Sequence, residues 1–180
     1  MTRNSSEGAR MGHEAGRNAG TSGGESAEGG YAAWLDVFHA NTLMVRALEK
    51  ALKREFELPL VGYEVLVKLE EVPEGERLRM QELARRVLLS KSGLSQLFTR
   101  LEKRGLVARR GDPDNLRVTY GILTAEGRKM LERVLPTCRG EIEERFARHL
   151  DEEETLTVRR AMGKVIRAFG EEPLSQGAKG

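Results

Sequence analysis

The chain of 180 residues carries 30 Lys and Arg against 28 Asp and Glu, so its net charge of +2 by itself indicates no class of partner. Charged residues make up 32% and aromatic residues 5%, which favours a helical protein with long solvated faces over a dense β-sandwich. A single cysteine excludes an intrachain disulfide, and no histidine or cysteine has metal-ligand spacing. No apolar run is long enough to span a membrane, and no signal peptide is recognisable. We therefore predict a cytoplasmic protein without metal, cofactor or membrane contact.

Residues 1–30 contain eight glycines and no Val, Ile, Leu, Phe, Tyr or Trp. Such a segment buries too little apolar area to offset the entropy lost on ordering, so we predict a disordered tail over residues 1–30. Its three arginines are outnumbered by four glutamates, which favours a solubilising extension over an arm that contacts a partner. Residues 171–180 are predicted to form a flexible C-terminus.

Order is predicted to begin at Tyr31 with a long amphipathic helix over residues 31–57. Its apolar residues recur at steps of three, four and seven, as one face of a helix requires: Trp34, Phe38, Val45, Leu48, Leu52 and Phe56. Leu58-Pro59-Leu60 ends it. A second helix is predicted from about Leu60 to Val72, where Pro73-Glu74-Gly75 stops it.

Two short helices joined by a tight turn are predicted over residues 78–104. Residues 78–87 have the pattern of a short extended piece followed by a helix, and residues 88–90 form the turn. Ser90 or Ser92 caps the next helix, because a serine oxygen accepts from free backbone N–H groups. That helix runs to about residue 104, where Gly105 is a stop signal. Helices joined in this way form a helix-turn-helix.

A β-hairpin is predicted directly after the helix-turn-helix. Residues 106–110 and 117–123 have strand patterns, and the Gly-Asp-Pro-Asp-Asn of residues 111–115 is turn chemistry. A hairpin in this place is a wing. The predicted fold class is therefore mainly α with a small β-wing, and residues 58–123 form a winged helix-turn-helix lobe.

The last part of the chain, residues 124–170, predicts two more helices. Thr124 caps a fifth helix, in which Pro136 should produce a kink. Asp151 and Glu154 have the spacing of a capping box and open a sixth helix. The first, fifth and sixth helices carry more apolar positions than one small domain can cover. We predict that they are dimerisation helices that interleave with a second chain, as an isologous homodimer.

The order and spacing of these elements resemble the MarR (multiple antibiotic resistance regulator) family of bacterial transcription factors. The resemblance covers residues 34–169 and rests on short strings: Leu58-Pro59-Leu60, Tyr63-Glu64-Val65-Leu66, Glu82-Leu83-Ala84, Ser90-Lys91-Ser92-Gly93-Leu94, Leu101-Glu102-Lys103-Arg104-Gly105-Leu106-Val107, Leu123-Thr124 and Gly127-Arg128. One departure lies in the wing, where the family usually has Asp-x-Arg after Asp-Pro. Here Asn115 replaces the aspartate, Leu116 replaces the usual arginine between, and Arg117 matches. The departure predicts either a weaker wing contact or an Arg117 oriented through a neutral hydrogen bond.

Positive charge is concentrated where the motif lies. Residues 79–117 hold ten basic and four acidic residues, a charge of +6, which leaves −4 for the rest of the chain. Binding to DNA phosphates needs such a field. The charge therefore supports contact with double-stranded DNA independently of the resemblance.

The fourth helix has two distinct faces. Leu94, Leu97, Phe98 and Leu101 group on one face and should pack on the domain. The opposite face carries polar side chains that suit base edges in a major groove. The predicted DNA-binding residues are Ser90, Lys91, Ser92, Ser95, Gln96, Thr99, Arg100, Lys103, Arg109, Arg110 and Arg117. The lysines are assigned to phosphates and the last three arginines to a minor groove or its phosphates. Two alternatives stay open: Ser92 only caps the helix, and Arg117 only pairs with Asp114.

The predicted function is that of a homodimeric regulator on a near-palindromic operator, and the resemblance implies that it represses transcription. The resemblance implies release from DNA by a small phenolic or lipophilic effector, for which Trp34, Phe38, His39 and Tyr63 are the candidates. Core or interface roles for these residues are the competing interpretation. Cys138 lies on the apolar stripe of the fifth helix and is predicted to be buried and inert rather than an oxidant sensor.

Two rival functions are less well supported. The chain has no nucleophile–base pair, phosphate loop or paired carboxylates at motif spacing, so we predict that it is not an enzyme. A winged helix used only for protein contacts often loses its basic recognition face, whereas this chain keeps Lys91, Arg100, Lys103 and Arg117.

Overall fold

The computed structural model describes residues 22–73 and 76–171, and it confirms a mainly helical fold with a small antiparallel sheet. The predicted tail up to residue 21, the C-terminal residues 172–180 and the stop signal at 74–75 lie outside the described residues. The helices are α1 Ser22–Phe56, α2 Leu60–Glu70, α3 Met80–Arg86, α4 Lys91–Lys103, α5 Ala125–Arg145 and α6 Glu152–Ala168, with a 3₁₀ turn at Ala147–His149. The strands are β1 Leu78–Arg79, β2 Val107–Gly111 and β3 Thr119–Leu123.

The first helix begins at Ser22, whereas the sequence predicted order only from Tyr31. Residues 22–30 contain no proline, so nothing stops the helix from extending through them. Extension is easier than nucleation, because each residue that is added gains one hydrogen bond. Contacts divide the chain into two units, residues 1–40 and 41–180. The second unit contains the predicted winged helix-turn-helix and the last two helices. Among the described helices, none is apolar over a length that could cross a membrane.

The C-terminal end of α1 is closed by a residue in the left-handed region. Glu57 has a φ of 53°, and its amide donates to the Lys53 carbonyl at 3.2 Å, as in the αL capping motif. The Arg104 guanidinium donates to the carbonyl oxygens of Phe56 and Glu57, both at 2.9 Å. A cation at this position is favourable because the carbonyl end of a helix is partly negative. The end of α4 is thereby tied to the end of α1.

The helix-turn-helix is built on the predicted apolar face of α4. Its buried side chains are Leu94, Leu97, Phe98 and Leu101. They share one core with Leu83 of α3, Leu66 of α2 and Val134 of α5. Ser90, and not Ser92, is the N-cap residue, since its side chain accepts from the Gly93 amide at 3.0 Å. A cap of this kind contributes about 1 kcal/mol.

The sheet has the strand order β1-β3-β2, so the short extended piece predicted before α3 is present as β1, but its pairing with the wing hairpin was not predicted. β2 pairs with β3 from Val107↔Leu123 to Gly111↔Thr119, and β1 adds Leu78↔Gly121 and Arg79↔Tyr120. Two residues are too few to show a periodic pattern. The extra strand brings the N-terminal end of α3 against the wing.

The junction between the wing and α5 is closely packed at Gly127. Thr124 caps α5 by accepting from the Gly127 amide at 3.0 Å. A Cβ at Gly127 would overlap the backbone oxygen of Leu106 and a methyl group of Leu123. Farther along the same helix, a Cβ at Gly140 would meet nothing within 4 Å.

We expect Gly127→Ala to destabilise the fold by about 1–3 kcal/mol through overpacking. The matched change Gly140→Ala should be neutral or stabilise by up to about 1 kcal/mol, because alanine is the better helix former. Urea unfolding of both variants measures the difference. Equal midpoints would contradict the close packing of α5 on the wing.

Candidate nucleic-acid interface

The outward face of α4 is polar along its whole length. Its exposed residues are Lys91, Ser92, Ser95, Gln96, Thr99, Arg100 and Lys103. They are exposed because the opposite face is taken up by the core, and a helix buries only one stripe. Thr99 Oγ1 donates back to the Ser95 carbonyl at 2.9 Å, so its hydroxyl proton is engaged within the helix.

The basic residues of this region differ in whether an acid neutralises them. On α3, Arg85 and Arg86 both pair with Glu82, at 2.8 and 3.0 Å. Within residues 22–73 and 76–171, no ion pair engages the basic side chains that the sequence assigned to DNA on α4 or at the outer part of the wing: Lys91, Arg100, Lys103, Arg110 and Arg117. Their charge is available to an anionic partner.

A basic cleft of about 410 Å³ lies between the start of α3, the start of α4 and the wing. Four cations line it, namely Arg79, Lys91, Arg109 and Arg117. Gln81 and Ser95 add polar groups, and among the described residues that line the cleft none is acidic. Arg79 and Gln81 were missing from the predicted site. The basic charge of Arg79 was visible in the sequence, but its place beside the wing depends on the pairing of β1 with β3.

Arg109 lines the cleft but directs its guanidinium at α4. Its Nη2 donates to the Ser95 carbonyl at 2.9 Å and lies 3.1 Å from Thr99 Oγ1. Its Nη1 pairs with Glu102, and its Cζ lies 5.0 Å from the centre of the Phe98 ring. The sequence placed Arg109 beside Arg110 on the outer side of the wing. The structure separates them, because adjacent residues of a strand point to opposite faces.

The wing tip is organised by two side chains that accept from backbone amides. Asp112 Oδ1 accepts from the amides of Asp114 and Asn115, both at 2.9 Å, and its Oδ2 accepts from the Tyr120 hydroxyl at 2.6 Å. Asn115 Oδ1 accepts from the Arg117 amide at 3.0 Å. The neutral hydrogen bond predicted for Asn115 is therefore present, and it holds the backbone of Arg117. Leu116 is 96% exposed beside it.

The carboxylate of Asp112 is stabilised in its charged form. The Tyr120 hydroxyl is the largest cause that holds the pKa of Asp112 below its usual range, followed by the Asp114 amide, with smaller contributions from the Asn115 amide and the charge of Arg79. Hydrogen bonds donated to a carboxylate favour ionisation. The wing tip is thus held together by an anion that persists at neutral pH.

The predicted effector residues fall in both units. Trp34 and Phe38 lie in the first unit with their ring centres 5.9 Å apart, and they are 58% and 56% exposed. His39 is exposed next to them. Tyr63 belongs to the second unit and is half-buried. Burial, followed by the neighbouring Cys138 thiol, raises its pKa.

Cys138 is buried as predicted, and burial raises its pKa, which disfavours the reactive thiolate.

Comparison with known proteins supports the family resemblance. The MarR family model matches residues 58–117. AbsC, a MarR family transcriptional regulator from Streptomyces coelicolor, is 31% identical, with a TM-score of 0.68 over 78% of this chain and 93% of that one. Sco3205, a MarR family regulator from the same organism in complex with DNA, is 34% identical, with a TM-score of 0.67 over 78% and 84%. CouR from Rhodococcus jostii RHA1, bound to p-coumaroyl-CoA, is 25% identical, with a TM-score of 0.60 over 72% and 87%.

Because the folded-state pKa of Asp112 is lowered, its hydrogen bonds stabilise the wing above the pKa of a free aspartate. That contribution is lost as the pH falls through the lowered value. We expect Tyr120→Phe to raise the pKa of Asp112 toward that of a free aspartate, whereas Arg79→Gln should raise it less. A titration of the Asp112 carboxyl carbon followed by NMR measures both shifts. An unchanged pKa in Tyr120→Phe would exclude the hydroxyl as the main cause.

Proposed function

Because this chain belongs to the MarR family of transcriptional regulators, we propose that it binds double-stranded DNA as a homodimer and represses transcription from a near-palindromic operator. Membership of a family of regulators agrees with the prediction that the chain is not an enzyme. The observation that carries the proposal is the group of basic side chains on α4 and the wing that have no acidic partner among residues 22–73 and 76–171. Sco3205, solved in complex with DNA, supports it.

In this proposal α4 enters the major groove with its polar face toward the bases. Gln96 is suited to pair with adenine and Arg100 with guanine, because their side chains match the hydrogen-bonding edges of those bases. Ser92, Ser95 and Thr99 complete the surface, with Thr99 as an acceptor because its proton is donated to Ser95. The lysines at the two ends, Lys91 and Lys103, contact phosphates, as does the helix start at Ser90.

The wing follows the adjacent minor groove. Arg117 is proposed to reach into the groove, where a narrow width strengthens the negative potential. Arg110 contacts the neighbouring phosphates. The basic cleft between the wing and α3 adds Arg79 and Gln81 to the proposed interface.

The homodimer is proposed from apolar side chains that remain uncovered on the last two helices. On α6, Gly163 alone is buried. At about 100° per residue, the exposed side chains of Val158, Val165 and Phe169 share one side of α6, and Ile142 and Phe146 are exposed on and next to α5. A second copy would cover this face and place two α4 helices about one DNA turn apart, as a near-palindrome requires.

Release by a small phenolic or lipophilic effector is also part of the proposal. CouR, which was solved with p-coumaroyl-CoA, supports it. The exposed aromatic pair Trp34 and Phe38, with His39 beside it, offers apolar area and a polar group. Tyr63 is a separate candidate in the second unit.

We expect Lys91→Gln to weaken binding to all DNA sequences and to reduce the slope of log affinity against log salt by about 1, since one phosphate contact is lost. Gln96→Ala should instead lose about 1–3 kcal/mol of discrimination between the operator and a scrambled duplex. Fluorescence anisotropy on DNA from upstream of the coding region measures both.

The matched control is Arg148→Gln, which removes a positive charge outside the interface, on the 3₁₀ turn, where it pairs with Glu144. It should leave the salt slope unchanged. A slope that changes equally in Lys91→Gln and Arg148→Gln would contradict the proposed register of α4. No binding by the wild type even at low salt would favour a module for protein contacts.

We expect Val165→Asp to convert the dimer to a monomer, because it places a charge in the apolar interface. Arg160 is exposed and lies about 140° away around α6, at about 100° per residue. The control Arg160→Asp therefore makes a larger change in charge on the other face and should leave the dimer intact. Light scattering at micromolar concentration measures both masses, and a monomeric wild type would exclude the dimer.

A further inference from the structure

We propose that Arg109 is a positioning residue that sets the surface α4 presents to DNA, and that it does not itself contact the DNA. This inference rests on the proposed DNA-binding function and concerns how the interface achieves specificity. It assigns different roles to two adjacent arginines, Arg109 and Arg110, that are alike in the sequence.

The contacts of Arg109 extend over two turns of α4. The guanidinium contacts the Ser95 carbonyl, the Thr99 hydroxyl and the Glu102 carboxylate. The backbone amide of Arg109 also donates to Glu102 Oε1 at 3.0 Å. The backbone amide and the guanidinium of Arg109 thus both bind the Glu102 carboxylate. This double contact fixes the distance between β2 and α4 and the rotation of α4 about its own axis.

The environment of Arg109 favours this internal role. Its side chain is 27% exposed and that of Glu102 is 37% exposed, so the pair is partly screened from water. The guanidinium carbon lies over the fully buried ring of Phe98, 5.0 Å from the ring centre. Planar guanidinium groups combine a hydrogen-bonding fork with stacking on an aromatic face, which a lysine ammonium cannot reproduce.

Arg109 also determines what Thr99 offers to a base. The Thr99 hydroxyl donates to the Ser95 carbonyl and accepts from Arg109 Nη2. A hydroxyl carries one proton, so Thr99 has none left to donate to a base. Removal of Arg109 would leave the Thr99 hydroxyl held by the Ser95 carbonyl alone and would free the lone pair that now accepts from Nη2.

The test compares Arg109→Gln with Arg110→Gln by anisotropy on operator and scrambled duplexes over a range of salt. A positioning residue predicts that Arg109→Gln weakens operator binding about tenfold or more, with unchanged salt slope and unchanged binding to the scrambled duplex. Arg110→Gln should weaken both duplexes alike and reduce the slope by about 1. Equal behaviour of the two variants would overturn the inference.

Two further variants separate positioning from direct contact. Arg109→Lys keeps the positive charge but not the forked guanidinium group, so it should discriminate between operator and scrambled duplex no better than Arg109→Gln. Discrimination equal to that of the wild type would overturn the inference. Glu102→Gln removes the carboxylate that holds Arg109. Positioning predicts a loss of specificity, whereas direct contact predicts tighter binding, because a competing acid has been removed.

A measurement without DNA keeps this inference distinct from the proposed function. Hydrogen exchange of the α4 amides between Ser95 and Glu102 should become faster in Arg109→Gln and stay unchanged in Arg110→Gln. If the wild type bound no DNA, the proposed function would fail, while the exchange rates would still decide whether Arg109 holds α4. Unchanged exchange in Arg109→Gln would overturn its positioning role.

Discussion

Burial of one face of α4 is the constraint on which the rest of the interface depends. Phe98 is fully buried on that face, and burial of a side chain of this size contributes about 2–3 kcal/mol. Gly121 of β3 leaves room for the ring, since a Cβ there would lie 3.1 Å from Phe98 Cζ. Arg109 of β2 covers it from another side. Both wing strands therefore meet α4 at one aromatic side chain, and the polar face of the helix is left to solvent.

Basic residues in the lobe are either engaged within the protein or left without an acidic partner among the described residues, according to their neighbours. Arg104 closes the end of α1 and Arg109 holds α4, so their donors are engaged within the protein. Side chains without an acidic partner in the described part of the chain, such as Lys91 and Arg117, contribute their full charge to the surrounding field. A field of this kind attracts a polyanion and brings it to the surface where the polar face of α4 lies.

A stiff junction joins the wing to α5. Thr124 Oγ1 donates to the Gly105 carbonyl at 2.6 Å, and the Thr124 amide donates to the Leu106 carbonyl at 3.2 Å. Gly127 then packs against the backbone at Leu106. The residues that end α4 and those that begin α5 are thereby held together. In the proposed dimer this junction would help to set the separation of the two α4 helices, and hence the half-site spacing they can read.

The sequence by itself determined the features that depend on near neighbours in the chain. The apolar face of α4, the N-cap Thr124, the capping box of Asp151 with Glu154 and the stop at Gly105 (φ 72°) all involve residues within about one helical turn. Of the two serines that the sequence left open as caps, the backbone selected Ser90. The charge concentrated over residues 79–117 was likewise visible without a structure.

Only the tertiary structure decided which basic residues face outward and which are engaged within the protein. Arg109 and Arg110 are equivalent in composition and charge, but the pairing of β2 with β3 and the position of Glu102 direct the first to α4 and leave the second exposed. Arg79 joins the cleft because a two-residue strand pairs with β3. These outcomes depend on contacts between residues far apart in the chain. A local sequence pattern does not encode them. It shows which face of a helix or strand is apolar, but it does not show which other helix or strand packs against that face.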